Sequence, residues 1–129
     1  SQWLSKPYFM LAAGVCAAAT DEEARYLRSS QMLAFARLRT GRPGKLPHPV
    51  EDLSAEIAAP VLAQVEQALS CSATGGPEMV RRELVALVER YKPEELMVTG
   101  MIHDHAARLR SFSIAAEALS DIAQASRAA

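Results

Sequence analysis

The stretch Glu94 to Leu109, EELMVTGMIHDHAARL, decides how the chain folds. A short apolar run, Leu96 to Ile102, ends in His103-Asp104-His105, and an Ala/Leu/Arg-rich helical pattern begins at once. That is a strand handing over to a helix with almost no loop. Polar side chains then stand at the carboxyl end of the strand, where α/β proteins bind their ligands. Asp104 is placed to cap the helix. Leu109, Phe112, Ala116 and Leu119 carry its stripe, and a polar, Ala-rich tail expected to fray follows from Ser120.

Upstream, Pro7 opens PYFMLAAGVCAAA, a run apolar on both faces. Non-alternating runs of this kind suit a strand covered on both sides in a parallel sheet. Thr20-Asp21-Glu22-Glu23 is a capping box. Ala24, Leu27, Gln31, Ala34 and Leu38 follow at helical spacing, and Gly41 stops the helix. Residues 42–52, RPGKLPHPVED, hold Pro43, Pro47, Pro49 and Gly44, which excludes regular structure and predicts a functional or mobile connection. Ser54 is expected to cap a helical turn, and Pro60 to open a helix with Leu62, Val65 and Leu69 as its stripe. Ser70 to Thr74 reads as a short small-residue segment. Pro77 stands at the first position of another helix, which buries Val80, Leu84, Leu87, Val88 and Tyr91 and ends at Pro93.

Two buried-type strands separated by helical material make a βαβ arrangement. One parallel pair makes poor use of its edges, so the chain reads as part of a larger α/β sheet or as a protomer that completes its sheet by association. Its 129 residues allow one domain. The net charge of −1 gives no electrostatic case for nucleic acid or an anionic membrane, and the longest apolar run, Tyr8 to Ala19, is too short to span a bilayer. Cys16 and Cys71 form no C-x-x-C pair and read as free thiols of a reducing compartment, which makes the chain cytoplasmic. Ser1 to Lys6 reads as the tail of something preceding it.

Four stretches resemble the carboxyl-terminal half of luciferase-like, flavin-dependent monooxygenases. Lys6-Pro7-Tyr8-Phe9-Met10 resembles the entry to a late barrel strand, and Ala19-Thr20-Asp21-Glu22-Glu23-Ala24 the turn after it. Ser72 to Val80 (SATGGPEMV) is similar to the family's G-[ST]-P-E-x-V helix start, with Gly76 where Ser or Thr is common. Glu94 to Ser111 resembles the last strand and helix, with His103 where many members have Tyr. The likeness runs from about Lys6 to Leu119. It implies that residues 1–119 are part of a (β/α)8 TIM barrel with a proline-rich insertion at 42–52, followed by a frayed tail at 120–129. The chain would be helix-rich, with about two main parallel strands, and completed by association with a second copy or with the missing amino-terminal barrel half.

The resemblance further implies an oxidoreductase that uses reduced flavin (FMN) and oxygen on a small organic substrate, and that is often a dimer. A complete barrel needs roughly 200 residues or more, so the isolated chain is expected neither to hold the flavin nor to catalyse alone. The alternative is a non-enzymatic α/β module that dimerises to bury its strand edges.

The candidate residues follow from both readings. By the resemblance, Thr99 is the candidate for cofactor contact and His103 for catalysis, where an imidazole can donate to a carbonyl or peroxide or exchange a proton. The competing reading is a polar strand end facing solvent. His103-x-His105 has the spacing of two metal ligands on a strand, but the chain turns helical there, Asp104 is engaged as a cap and His48 lies far off in sequence; no metal is expected. Gly75-Gly76-Pro77-Glu78 leads into a helix amino terminus that can hold a phosphate, against which Glu78 stands in the first turn. Cys16 reads as a buried thiol, Arg108 and Arg110 as a solvated helix face, and Trp3 as a packing residue rather than a flavin contact.

Overall fold

The computed structural model describes residues 5–128; Trp3 lies outside them. β1 (Met10–Ala17) leads into α1 (Asp21–Arg39), and an irregular segment into the short α2 (Leu53–Glu56) and α3 (Ala59–Ala68). β2 (Ser72–Gly75), α4 (Pro77–Tyr91), β3 (Glu95–Thr99) and α5 (His105–Ala128) complete the chain. The three strands are parallel in the order β2-β1-β3.

The sheet has three strands where two are expected. The additional one is β2, which takes up most of the short small-residue segment Ser70–Thr74 and extends to Gly75. Its four residues are small, and only Thr74 is β-branched, so no period is visible. It is a strand because β1 supplies the ladder, pairing Gly14 with Ser72 through Ala17 with Gly75. Tertiary pairing overrides weak local preference.

The strand order also differs from that of a barrel segment. In a barrel, consecutive strands are neighbours, which gives β1-β2-β3. Here β1 is central. The chain crosses to one side of it and then back to the other, so right-handed crossovers put their helices on opposite faces. On one face Val15, Ala17 and Ala73 pack against Val80 and Leu84 of α4 and Ala115 and Ala118 of α5. On the other, Cys16 joins Ala24 and Leu27 of α1, with Ile102 and Ala107. This is an open sheet wound on both faces. Cover is complete only around the carboxyl half of β1. Near β3, Met10 and Met97 remain about half exposed.

The caps follow sequence logic with one correction. Thr20 accepts from the Glu23 amide at 3.1 Å. Gly41 takes φ +79 beyond α1. Lys92, ahead of Pro93, ends α4 in the left-handed conformation. For α2 the cap is Asp52, not Ser54: Asp52 Oδ1 accepts from the Ser54 amide at 3.0 Å. An aspartate immediately ahead of a short turn reaches the free amide better than a serine already inside it. β3 stops at Thr99 rather than Ile102, and Gly100 beyond it lies hard against β1, where a Cβ would stand 3.1 Å from the Val15 carbonyl oxygen. From Ser120, where fraying is expected, α5 stays helical to Ala128. No helix of the described residues is long and apolar enough to cross a membrane.

Candidate functional site

Because every long helix but α3 directly follows a parallel strand, the strand carboxyl ends and the amino termini of α1, α4 and α5 gather at one end of the molecule. In open α/β sheets the crevice beyond these ends, where the strand order reverses, is the place for a ligand. Here that point lies between β1 and β3. It is framed by the Ala18–Thr20 turn and by Gly100 to Asp104.

His103 stands exposed in the second of these turns. The structure brings to it a residue that sequence spacing could not: the His48 ring, whose centroid lies 3.9 Å away at an interplanar angle of 41°. The proline-rich segment is therefore folded back onto the strand end. It is held a second time by the Val50 amide, which donates to Ser29 Oγ at 2.8 Å. The segment is irregular, as expected, but pinned.

The His103-x-His105 pair is divided between the turn and α5. His105 opens α5, its Nδ1 2.9 Å from the Arg108 guanidinium, a cation that opposes a metal there. Asp104 caps α5 as expected, its Oδ2 accepting from the Ala107 amide at 2.9 Å. Among the described residues no group of three His, Cys, Asp or Glu is arranged to hold a metal ion. Thr99 ends β3, exposed, in register with Gly14. No hydrogen bond among the described residues joins it to His103.

A cleft of about 400 Å³ opens at the same end between the two neighbouring strand-to-helix turns, lined in part by Thr20, Asp21, Gly76, Met79 and Arg82. Its back is a contact the sequence reading missed. Asp21 Oδ1 accepts from the Gly76 amide at 2.7 Å, so a carboxylate of the chain already occupies the start of α4. Gly75 makes the approach possible. It has φ +155, and a Cβ there would lie 2.7 Å from Met79 and 2.8 Å from Asp21 Oδ1. With Glu78 also in the first turn, an incoming phosphate meets two carboxylates and one guanidinium. The residues present do not by themselves fit the phosphate of a flavin mononucleotide.

The remaining candidates are structural. Cys16 is buried, its thiol donates to the Ala24 carbonyl at 3.4 Å, and burial pushes its pKa up to about 11 despite the nearby Arg28 charge. Cys71 is a free, half-buried thiol. Arg110 reaches Glu23 across the turns at 3.6 Å, an exposed pair.

No family model matches the chain. Over 112 residues, 87% of its length, it is 38% identical to a luciferase-like monooxygenase of Escherichia coli K12, of which this is 33%. It is 37% identical over 117 residues to the uncharacterized protein YvbT of Bacillus subtilis strain 168, covering 35% of that protein. Among solved structures, apo-MsnO8 superposes on 89% of the chain with a TM-score of 0.65 and 28% identity, using 35% of that molecule. The chain thus spans about a third of the length of the curated relatives it matches. The resemblance carried by the four sequence stretches holds across most of the chain.

Proposed function

We propose that the chain is the carboxyl-terminal part of a flavin-dependent monooxygenase, inactive until the remainder of the barrel is supplied. One observation carries this reading: the 38% identity to a luciferase-like monooxygenase extends over 87% of the chain but only 33% of the relative. In the intact enzyme FMN, once reduced, would supply the chemistry with oxygen. This chain's part would be to orient and to exclude water. His103, backed by the His48 ring, would present a hydrogen-bond donor beyond the end of β3, and Thr99 a hydroxyl four residues earlier. The segment 42–52 would act as part of a lid over the same end. In that assembly the strands would take barrel order, β3 pairing with β2 while a strand from the rest of the enzyme takes its place on β1.

The test is flavin fluorescence. FMN mixed with the chain alone is expected to keep its free emission. FMN mixed with the chain and the amino-terminal two-thirds of the E. coli relative, refolded together, is expected to be quenched. Quenching by the isolated chain at low micromolar FMN contradicts the division of labour. No quenching by the reconstituted pair contradicts the proposal itself.

A second reading, a non-enzymatic module that dimerises, is favoured by a different observation. On the face of the sheet that α1 leaves bare, Met10, Ala12, Met97 and Thr99 are exposed, with Tyr8, Phe9 and Met101 beside them. Light scattering after gel filtration separates the outcomes: a stable monomer at high micromolar concentration argues against it.

A further inference from the structure

At the opposite end of the molecule from His103, where α1 ends, a cavity of about 630 Å³ lies between α1 and the α2–α3 pair. That is the size of a small-molecule site. Its floor is apolar: Leu33, Ala36 and Ile57 are each 5% exposed or less, and Val61 packs beside them. Arg37 and Arg42, both exposed, line it as well. Neither is in an ion pair among the described residues. Nor are they needed to cap the helix. The Ala36 carbonyl is taken by the Thr40 amide at 3.0 Å and hydroxyl at 2.9 Å, the Arg37 carbonyl by the Arg42 amide at 2.7 Å, and the Leu38 carbonyl by the Gly41 amide at 3.3 Å.

We infer that this cavity binds a small apolar monocarboxylate, its head between Arg37 and Arg42 and its tail over Ile57 and Leu33. The two guanidiniums offer fork-shaped donors that match a carboxylate. Glu56, which also lines the cavity, and the negative end of the α1 dipole oppose any anion and a dianion most, which favours a singly charged head over a phosphate monoester. The apolar floor rewards a tail that acetate lacks. The inference is independent of any flavin chemistry, since neither end of β3 contributes to the cavity.

Sodium octanoate titrated into the chain tests it, with backbone amide resonances as the readout and octanol and acetate as comparisons. Octanoate is expected to give saturable shifts at Ala36, Thr40, Ile57 and Val61, while octanol and acetate bind at least about tenfold more weakly, the size of one charge-assisted hydrogen bond or a few buried methylenes. The variant R37Q/R42Q is expected to lose about tenfold or more in affinity, and Glu56→Gln to gain affinity, which misfolding cannot imitate. Non-saturating shifts, shifts confined to other surfaces, octanol binding as tightly as octanoate, or undiminished binding by R37Q/R42Q would overturn the inference.

Discussion

Gly75→Ala is the substitution whose cost the structure fixes most tightly. Two penalties combine there. The first is conformational: φ +155 is a region that residues with a Cβ rarely enter, at about 1–3 kcal/mol. The second is steric: the new methyl would stand 2.7 Å from Met79 Cβ and Cγ and 2.8 Å from Asp21 Oδ1, and overpacking of this kind costs about 1–3 kcal/mol. The sum is about 2–6 kcal/mol, out of the roughly 5–15 kcal/mol that holds a domain folded. At about 3–5 °C per kcal/mol for a chain of this length, the melting temperature should fall by at least about 6 °C. Two other glycines divide the penalty. Gly41 has φ +79 with nothing within 4 Å, so Gly41→Ala measures strain without clash. Gly44 has open space and no positive φ, so Gly44→Ala should lie between no change and a gain of about 1 kcal/mol. Urea denaturation of the three variants, followed by far-ultraviolet circular dichroism, gives the order Gly75→Ala, Gly41→Ala, Gly44→Ala from most to least destabilised. Adding Met79→Ala removes only the Cγ contact and leaves those with Met79 Cβ and Asp21 Oδ1, so most of the loss at Gly75 should persist. A Gly75→Ala variant within about 0.5 kcal/mol of the parent would refute the reasoning, because neither penalty could then be real.

Three further outcomes are expected. Asp104→Ala should cost about 1 kcal/mol in the same denaturation assay by freeing the Ala107 amide, and Asp104→Asn much less; equal losses would mean that the cap is not the contribution. The Cys16 thiol, pushed up to about 11 by burial, ionises less readily than in the unfolded chain. Its folded pKa is raised, so its contribution of about 2–3 kcal/mol is intact below about pH 9 and is lost as pH rises through about 11. Stability measured from pH 8 to 11 should fall in the parent and stay flatter in Cys16→Ala, and matching slopes would discount the burial effect. His48→Ala should speed amide exchange across residues 45–50 while changing global stability by under about 1 kcal/mol, since both rings are exposed. Unchanged exchange would show that the Val50–Ser29 bond pins the segment alone.

What the sequence revealed depended on how local the cause was. The Thr20 cap, the Gly41 stop, Pro77 at the start of α4 and Asp104 before α5 each act within one helical turn, and each is where the residue pattern puts it. The Met10–Ala17 strand is legible for a related reason: its run is apolar on both faces, and its carboxyl half is covered on both. Contacts made across the fold leave no such mark. β2 is a strand only because β1 lies beside it. The Asp21–Gly76 bond spans 55 residues, and the His48–His103 contact joins a proline-rich segment to a strand end with no motif in either to announce the other. Asp52 was missed for a smaller reason: Asp52 and Ser54 are both good caps two residues apart, and only the backbone geometry chooses between them.

The sheet order bears most directly on whether this chain can be part of a barrel. A central strand has two edges, and β1 uses both: its ladder to β2 covers Gly14 to Ala17 and its ladder to β3 covers Met10 to Gly14. The two ladders overlap only at Gly14. β3 therefore holds the amino half of β1 and leaves the other half of that edge to α5, where the Ala17 amide donates to Ser111 Oγ at 2.9 Å. A strand arriving from elsewhere in a larger enzyme would meet β1 on this edge. To add, it must displace five residue pairs of β3 together with the Ser111 bond. Pairing in the plane of the sheet, it would not itself cover the face on which Met10 is half exposed; only the elements that come with it could. Apolar burial contributes about 25 cal/mol per Å², and hydrogen bonds exchanged strand for strand nearly cancel, so the balance turns on how much of that bare face the accompanying elements bury. The half-exposed Met10 marks the face on which such added elements would gain most.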